Sequence, residues 1–113
     1  MGRTASIDTV HTIIIFFSME FEWDPQKNER NRKKHRISFE EAREVFDDPF
    51  HLSILDRRFT YFEERWITVG QTVRRRVAVV AHVYFDADGA EVVRIISARE
   101  ATAHERRQYE EHT

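Results

Sequence analysis

The 113-residue sequence has no cysteine, only two prolines and three glycines, and no marked excess of charge of either sign. The absence of cysteine excludes disulfides, thiolate zinc sites and a cysteine nucleophile, and it indicates a reducing compartment, for which we expect the cytoplasm. The formal net charge of −2 at pH 7 argues against a broad nucleic-acid-binding surface, which usually carries excess lysine and arginine. No apolar run is long enough to span a membrane.

What the chain does contain is typical of one compact soluble domain. Nine phenylalanines supply material for a core, and a chain of this length has room for one core but not for two. The charge is uneven, because residues 27–36 and 74–76 are basic whereas residues 40–48 and 63–64 are acidic. Such patches can bind phosphate or dock a charged partner.

Residues 1–18 carry an isolated apolar run, Ile13–Phe17. The segment lacks the basic leader and small-residue cleavage pattern of a secretory signal. Its β-branched and aromatic residues suit an additional strand; alternatively, the segment is an extension upstream of a natural start at Met19. We favour the extension, which leaves residues 19–113 as the single domain.

The succession of local patterns predicts an α+β domain with the element order β-α-α-β-β-β-β-α. A helix starts at Asp24–Pro25, with Asp as the N-cap, and two capping boxes, Ser38–Glu41 and Thr102–Glu105, start two more. Alternating and apolar runs predict strands, and Gly89 predicts a hairpin turn before the last of them. We therefore expect an antiparallel sheet of four to five strands, packed by two N-terminal helices and a C-terminal helix.

Cationic side chains concentrate at two places in this predicted fold. The first helix is polar all round, with Lys27 and Lys34 on one face and His35 beside them, and this face is either merely solvated or functional. Arg94 and Arg99 lie where the last strand gives way to the last helix, and there a rigid element can aim guanidinium groups at an anion. The alternative is that both arginines pair with carboxylates of the chain.

The sequence resembles the BrnT toxins, the DUF497 family of type II toxin–antitoxin modules, from Glu20 to Glu110. The resemblance rests on an ordered set of motifs: Phe21–Pro25, Lys27, Asn31, Lys34–His35, Ser38–Ala42, Val45–Phe46, Asp48–Pro49, Asp56, Glu64–Trp66, Gly70, Arg94–Arg99, Ala101, Thr102, Glu105 and Tyr109. It implies a fold similar to the RelE-like ribonuclease toxins and a metal-independent endoribonuclease that cleaves RNA and inhibits translation, with no cofactor. It also implies a BrnA-like antitoxin partner in a heterotetramer, whose ribbon-helix-helix part provides the only contact with operator DNA.

This chain departs from the family pattern at Arg36, where the family usually has glycine. Glycine there would be a natural helix C-cap, and a non-Gly residue in the left-handed conformation costs about 1 kcal/mol. We therefore expect the turn to be altered, and with it the aim of Lys34 and His35.

Cleaving RNA without a metal requires a base for the 2′-hydroxyl proton, an acid for the leaving oxygen and cations for the phosphorane-like charge. We expect Arg94 and Arg65 to bind the scissile phosphate, because the planar fork of arginine makes two hydrogen bonds. Lys34 and His35 would approach from the first helix, with His35 as general acid or base. Glu64 is an alternative base.

Three further residues are expected to contact RNA near this site. Arg99 and Lys27 would bind phosphates, and Trp23 would stack on a base, although a tryptophan in so small a domain also suits the core. The six histidines have no spacing typical of metal ligands, so we expect no metal site.

A competing hypothesis makes the domain a non-catalytic protein-binding module. Its arginines and acidic helix would then only hold an antitoxin-like partner and help it at the operator as a co-repressor. The near-neutral charge and Arg36 favour this hypothesis, whereas the concentration of Arg, Lys and His in the family-like motifs favours the enzyme.

Overall fold

The computed structural model describes residues 19–58 and 64–113, so the extension assigned to residues 1–18 lies outside the described part. The elements follow the predicted order: β1 (Glu20–Glu22), α1 (Pro25–His35), α2 (Phe39–Arg43), β2 (Leu52–Asp56), β3 (Arg65–Gln71), β4 (Val77–Ala87), β5 (Ala90–Glu100) and α3 (Ala103–Glu111). A 3₁₀ turn, Glu44–Asp47, extends α2. None of the helices in the described ranges is long and apolar enough to cross a membrane.

The helix starts lie where the sequence predicts them. The Asp24 carboxylate accepts a hydrogen bond from a backbone N–H of the first turn of α1. Thr102 and Glu105 form the full capping box of α3. At α2, the Ser38 hydroxyl caps the Glu41 N–H, while the Glu41 carboxylate bonds to the loop between β3 and β4. Local side-chain chemistry therefore sets all three starts.

The five strands form one sheet in the order β1-β5-β4-β3-β2. Three of the four pairings are antiparallel, but β1 runs parallel to β5, with Phe21 opposite Val93. The prediction of an antiparallel sheet is therefore wrong for its first strand, and the sheet is mixed. The error has a physical reason: the direction of a three-residue strand depends on a partner about 70 residues away, and no local pattern in β1 specifies it.

The sheet has two faces. The core face is covered by α2, and the opposite face, the cleft face, borders an open cleft. Val80, Val93 and Ile95 on the core face pack with residues of α2, including Phe39, and all are buried. Val79, which alternates with Val80 along β4, points to the cleft face. The predicted apolar stripe of the second helix, which includes Phe39, thus covers the core face.

A β-bulge in β5 rearranges the cleft face. Ser97 pairs with Ala81, whereas Ile95 pairs with the next residue of β4, so Ile96 is left over. Arg94 and Arg99 are five positions apart and would point to opposite faces of a regular strand. Because the bulge inserts one residue between them, both arginines lie on the cleft face, together with Ser97.

The helix α1 ends at Arg36, which adopts the left-handed conformation with φ of 61° and ψ of 26°. Its N–H donates to the carbonyl of Arg32 at 2.9 Å, and its own carbonyl accepts a hydrogen bond from Arg76 Nη2 at 2.9 Å. Arg36 thus takes the conformation that glycine would take, and the altered turn that the sequence led us to expect does not occur. The chain accepts the conformational cost of about 1 kcal/mol instead.

We expect Arg36→Gly to raise the free energy of unfolding by about 1 kcal/mol, because glycine enters the left-handed region without the Cβ penalty. The hydrogen bond from Arg76 is preserved, since it uses the backbone carbonyl. Urea denaturation at neutral pH measures the change. An Arg36→Gly variant no more stable than the parent would show that the turn carries no such strain.

His82 is fully buried in the core face. Its Nε2 lies 2.7 Å from the Thr68 hydroxyl, which lies 2.7 Å from the Ser53 hydroxyl. Burial lowers the pKa of His82 to about 4, with the charge of His51 as a lesser cause. The imidazole is therefore neutral in the folded protein at neutral pH.

The stability of the protein should consequently fall as the pH drops from about 6.5 to about 4. In this window the unfolded chain binds a proton at His82 and the folded chain does not, which costs up to about 3 kcal/mol. Urea denaturation at pH 7 and pH 5 should show this loss in the parent and in the exposed control His104→Gln, but a smaller one in His82→Gln. An equal loss in all three would contradict the assignment.

Candidate functional site

An open cleft of about 250 Å³ lies on the cleft face. Its floor is apolar and includes Ile67 and Val79, and its polar lining residues are His35, Asp56, Arg58, Arg65, Ser97 and Arg99. Four of these six side chains can carry a positive charge, which is the composition expected of a phosphate site.

The register of the sheet brings these residues together from separate elements. Asp56 at the end of β2 lies opposite Arg65 at the start of β3. Ala81 of β4 lies opposite Ile67 on one side and Ser97 of β5 on the other. Residues opposite each other share a face of the sheet, so three strands present their polar residues to one space, on a rigid support.

Asp56 forms a two-pronged ion pair with Arg58. Arg58 Nε donates to Asp56 Oδ1 and Arg58 Nη2 to Oδ2, both at 2.9 Å. These hydrogen bonds, helped by the charges of Arg58 and Arg65, lower the pKa of Asp56 despite the opposing effect of its burial. The carboxylate is therefore ionised at neutral pH and orients a guanidinium group at the wall of the cleft.

Arg99 is oriented in the same way by the first turn of α3. Its Nη1 and Nη2 donate to Glu105 Oε1 and Oε2 at 2.7 and 2.9 Å. The hydrogen bonds from Arg99 are the largest cause that lowers the pKa of Glu105 to about 2. The Arg99 side chain is still 43% exposed, so it can contact a ligand while Glu105 holds its orientation.

Helix α3 is fixed at its other end by a second polar contact. The Tyr109 hydroxyl donates to Asp48 Oδ2, and burial together with this contact raises the pKa of Tyr109 to about 12. Beneath the helix lies an apolar groove whose walls include Leu52, Ile54 and Val69. The hydrogen bonds of Tyr109 and of the Arg99–Glu105 pair therefore attach the helix over the cleft face.

The sequence-predicted site is only partly assembled in this cleft. Arg65, Arg99 and His35 line it. Arg94 shares the cleft face but is not among the described lining residues. Its Nε bonds to Glu22 at 2.6 Å, and its guanidinium carbon lies 5.2 Å from the centre of the Phe85 ring.

The remaining predicted residues also lie outside the described lining of the cleft. Lys27 and Lys34 are exposed on α1, and Glu64 is exposed immediately before β3. Trp23 is partly buried against the core, with its ring centre 6.2 Å from that of Phe39 in an edge-to-face arrangement. The structure therefore favours Trp23 as a core residue over Trp23 as a residue that stacks on a base.

Sequence reasoning missed Asp56, Arg58 and Ser97 as lining residues. Arg58 lies two residues after the end of a predicted strand, in a predicted turn, and that position is the only local signal it carries. Asp56 can be recognised as a lining residue only once it is known to lie opposite Arg65. Ser97 shares a face with Arg94 only because of the bulge, which the sequence does not reveal. Within residues 19–58 and 64–113, no group of three or more His, Asp or Glu side chains is arranged to hold a metal ion.

We expect inorganic phosphate to bind in this cleft, since a phosphate can accept charge-assisted hydrogen bonds from Arg65 and Arg99. Binding should shift the NMR signals of His35. Arg65→Ala and Arg99→Ala should each weaken binding by about tenfold or more, whereas the control Arg94→Ala should leave it within about twofold. Equal weakening by all three variants would indicate a diffuse charge effect and no defined site.

Two comparisons with known proteins bear on this geometry. The family model for the ribonuclease toxin BrnT of type II toxin–antitoxin systems matches residues 23–105. Among solved structures, the ribonuclease toxin BrnT of Brucella abortus is similar, with a TM-score of 0.51 and 21% identity over 74% of this chain and 97% of that one. At that identity the second match shows the fold alone.

A comparison with curated protein sequences found no significant match. The family match nevertheless spans well over half of the chain and includes every described residue that lines the cleft. The chain belongs to the BrnT family of ribonuclease toxins of type II toxin–antitoxin systems.

Proposed function

We propose that this protein is a metal-independent endoribonuclease that inhibits translation by cutting RNA in the cleft between His35 and the arginines Arg65 and Arg99. The observation that carries the proposal is the convergence of these three side chains on one open space, supported by a rigid sheet. The family description as a ribonuclease toxin supports the reaction class.

In the proposed reaction, the 2′-oxygen of a ribose attacks the adjacent phosphorus while the bond from phosphorus to the 5′-oxygen breaks. A base removes the 2′-hydroxyl proton, and an acid gives a proton to the leaving 5′-oxygen. Arg65 and Arg99 stabilise the negative charge that develops on the phosphate oxygens. The products are a 2′,3′-cyclic phosphate and a free 5′-hydroxyl.

His35 is the proposed general acid or base, because histidine changes its charge closest to neutral pH. Asp56 is poorly suited to this role, since both of its oxygens accept hydrogen bonds from Arg58 and its pKa is lowered. Glu64, exposed beside Arg65, remains the proposed alternative base. Lys27 and Lys34 would bind RNA phosphates outside the cleft.

We further propose that the toxin acts in the cytoplasm and is neutralised there by a BrnA-like antitoxin in a heterotetramer. The type II toxin–antitoxin family supports a protein antitoxin. The net charge of −2 supports contact with operator DNA only through the ribbon-helix-helix part of that antitoxin. A fold similar to that of the RelE-like toxins is also proposed, and the α+β architecture supports it.

Cleavage of a purified RNA by the purified protein, with a chelator present, tests the activity and its metal independence. We expect His35→Ala to slow cleavage by about 10²–10⁴-fold and Arg65→Ala by about 10²-fold. Arg94→Ala, whose partner is Glu22, should slow it by less than about tenfold. Circular dichroism should confirm that each variant is folded.

The competing protein-binding module makes a different prediction in the same assay. If the folded parent chain cuts no RNA, with or without ribosomes, catalysis is excluded and the co-repressor module is the better account. If cleavage occurs but Arg94→Ala abolishes it while Arg65→Ala does not, the cleft described above is the wrong site.

A further inference from the structure

Helix α1 lies at an open stretch of the sheet edge. The short strand β1 pairs with β5 only as far as Arg94, so beyond that point β5 has, among residues 19–58 and 64–113, a strand neighbour on one side alone. Ala98 pairs with Val80 of β4 on that side. An unpaired strand edge presents backbone N–H and C=O groups that need partners when they are buried.

The side chain of Asn31 supplies both partners. Its Oδ1 accepts a hydrogen bond from Ala98 N at 3.1 Å, and its Nδ2 donates to Ala98 O at 2.8 Å. The same Nδ2 donates to Ile37 O at 3.0 Å. One amide group thus takes the place of a neighbouring strand at Ala98 and also binds the carbonyl of Ile37, two residues after the end of the helix. Asn31 is only 8% exposed.

Asn31 is important because few other side chains of the described residues attach α1 to the rest of the domain. Among the residues of this helix, Asn31 alone is buried, and a helix that is polar all round has no apolar face to pack. Asn28 makes a second attachment, but it joins α1 to α2: its Oδ1 accepts from Phe39 N, and its Nδ2 donates to Glu40 Oε1, both at 2.8 Å.

The attachment at Asn31 bears directly on the cleft. His35 lies four residues further along α1, about 6 Å away and on the same side of the helix. Ala98, which Asn31 holds, lines the cleft with His35 and lies next to Arg99. The Asn31 side chain therefore links the helix that carries His35 directly to the strand that carries Arg99.

We propose that Asn31 is a positioning residue for RNA cleavage, which acts by placing His35 against the scissile phosphate. This inference rests on the proposed function. A misplacement of about 1 Å in a catalytic group can cost about 10²-fold in rate, so loss of the amide should reduce kcat and leave KM nearly unchanged.

A double-mutant cycle tests the proposal in the full-length chain with a purified RNA. Asn31→Ala should lower kcat at least about tenfold. When His35 is already alanine, the same substitution should change kcat by less than about twofold, because nothing is left to position. The control is Asn28→Ala, which removes another hydrogen-bonded but less buried amide from the same helix and should leave kcat within about threefold.

Further readouts separate positioning from a loss of folding. Rates are scaled to the folded fraction from circular dichroism, and Asn31→Ser, a milder change, repeats the measurement if Asn31→Ala unfolds. The NMR signals of His35 in the free protein should shift in the Asn31 variants and not in Asn28→Ala. Additive effects of the Asn31 and His35 substitutions, or an equal loss in Asn28→Ala, overturn the proposal. A folded parent that cuts no RNA overturns the proposed function, and this inference with it.

Discussion

The pairing of β4 with β5, and the bulge within it, is the interaction on which the rest of the structure depends. These two long strands lie at the centre of the sheet. One face of each strand borders the core, and the opposite face borders the cleft. The bulge at Ile96 places Arg94, Ser97 and Arg99 on one face, whereas a regular strand would send Arg94 and Arg99 to opposite faces. Without it, Arg94 would lie on the face opposite Ser97 and Arg99.

Around this rigid sheet, the flanking helices that frame the cleft are attached mainly by polar contacts. Helix α1 is held through Asn31, and α3 through the Arg99–Glu105 pair and Tyr109. Directional contacts fix the orientation of a side chain more closely than apolar packing does, which suits a site that must hold guanidinium groups in place. Each contact is also individually modest in free energy, so the positions of these helices depend on few atoms.

The sequence predicts the elements of this fold well and their arrangement less well. The caps at Asp24 and Thr102 and the turn at Gly89 are local, since their signals and structural consequences lie within a few residues of one another. The parallel direction of β1 is not local, and the prediction was wrong there. Arg36 is a third case, because the sequence showed the replacement of the usual glycine but not its consequence. Only the structure shows that Arg36 adopts the left-handed conformation that glycine would adopt.

For the site, the sequence by itself determined the kinds of residues available: arginines in β5, a histidine at the end of a polar helix and no cysteine. The tertiary structure alone decided which of them meet. It brought His35, Arg65 and Arg99 into one cleft, added Asp56 and Arg58, and left Arg94 with Glu22. The physical reason is that strand register, a single bulged residue and the edge contact of Asn31 are long-range relations, which no window of neighbouring residues encodes.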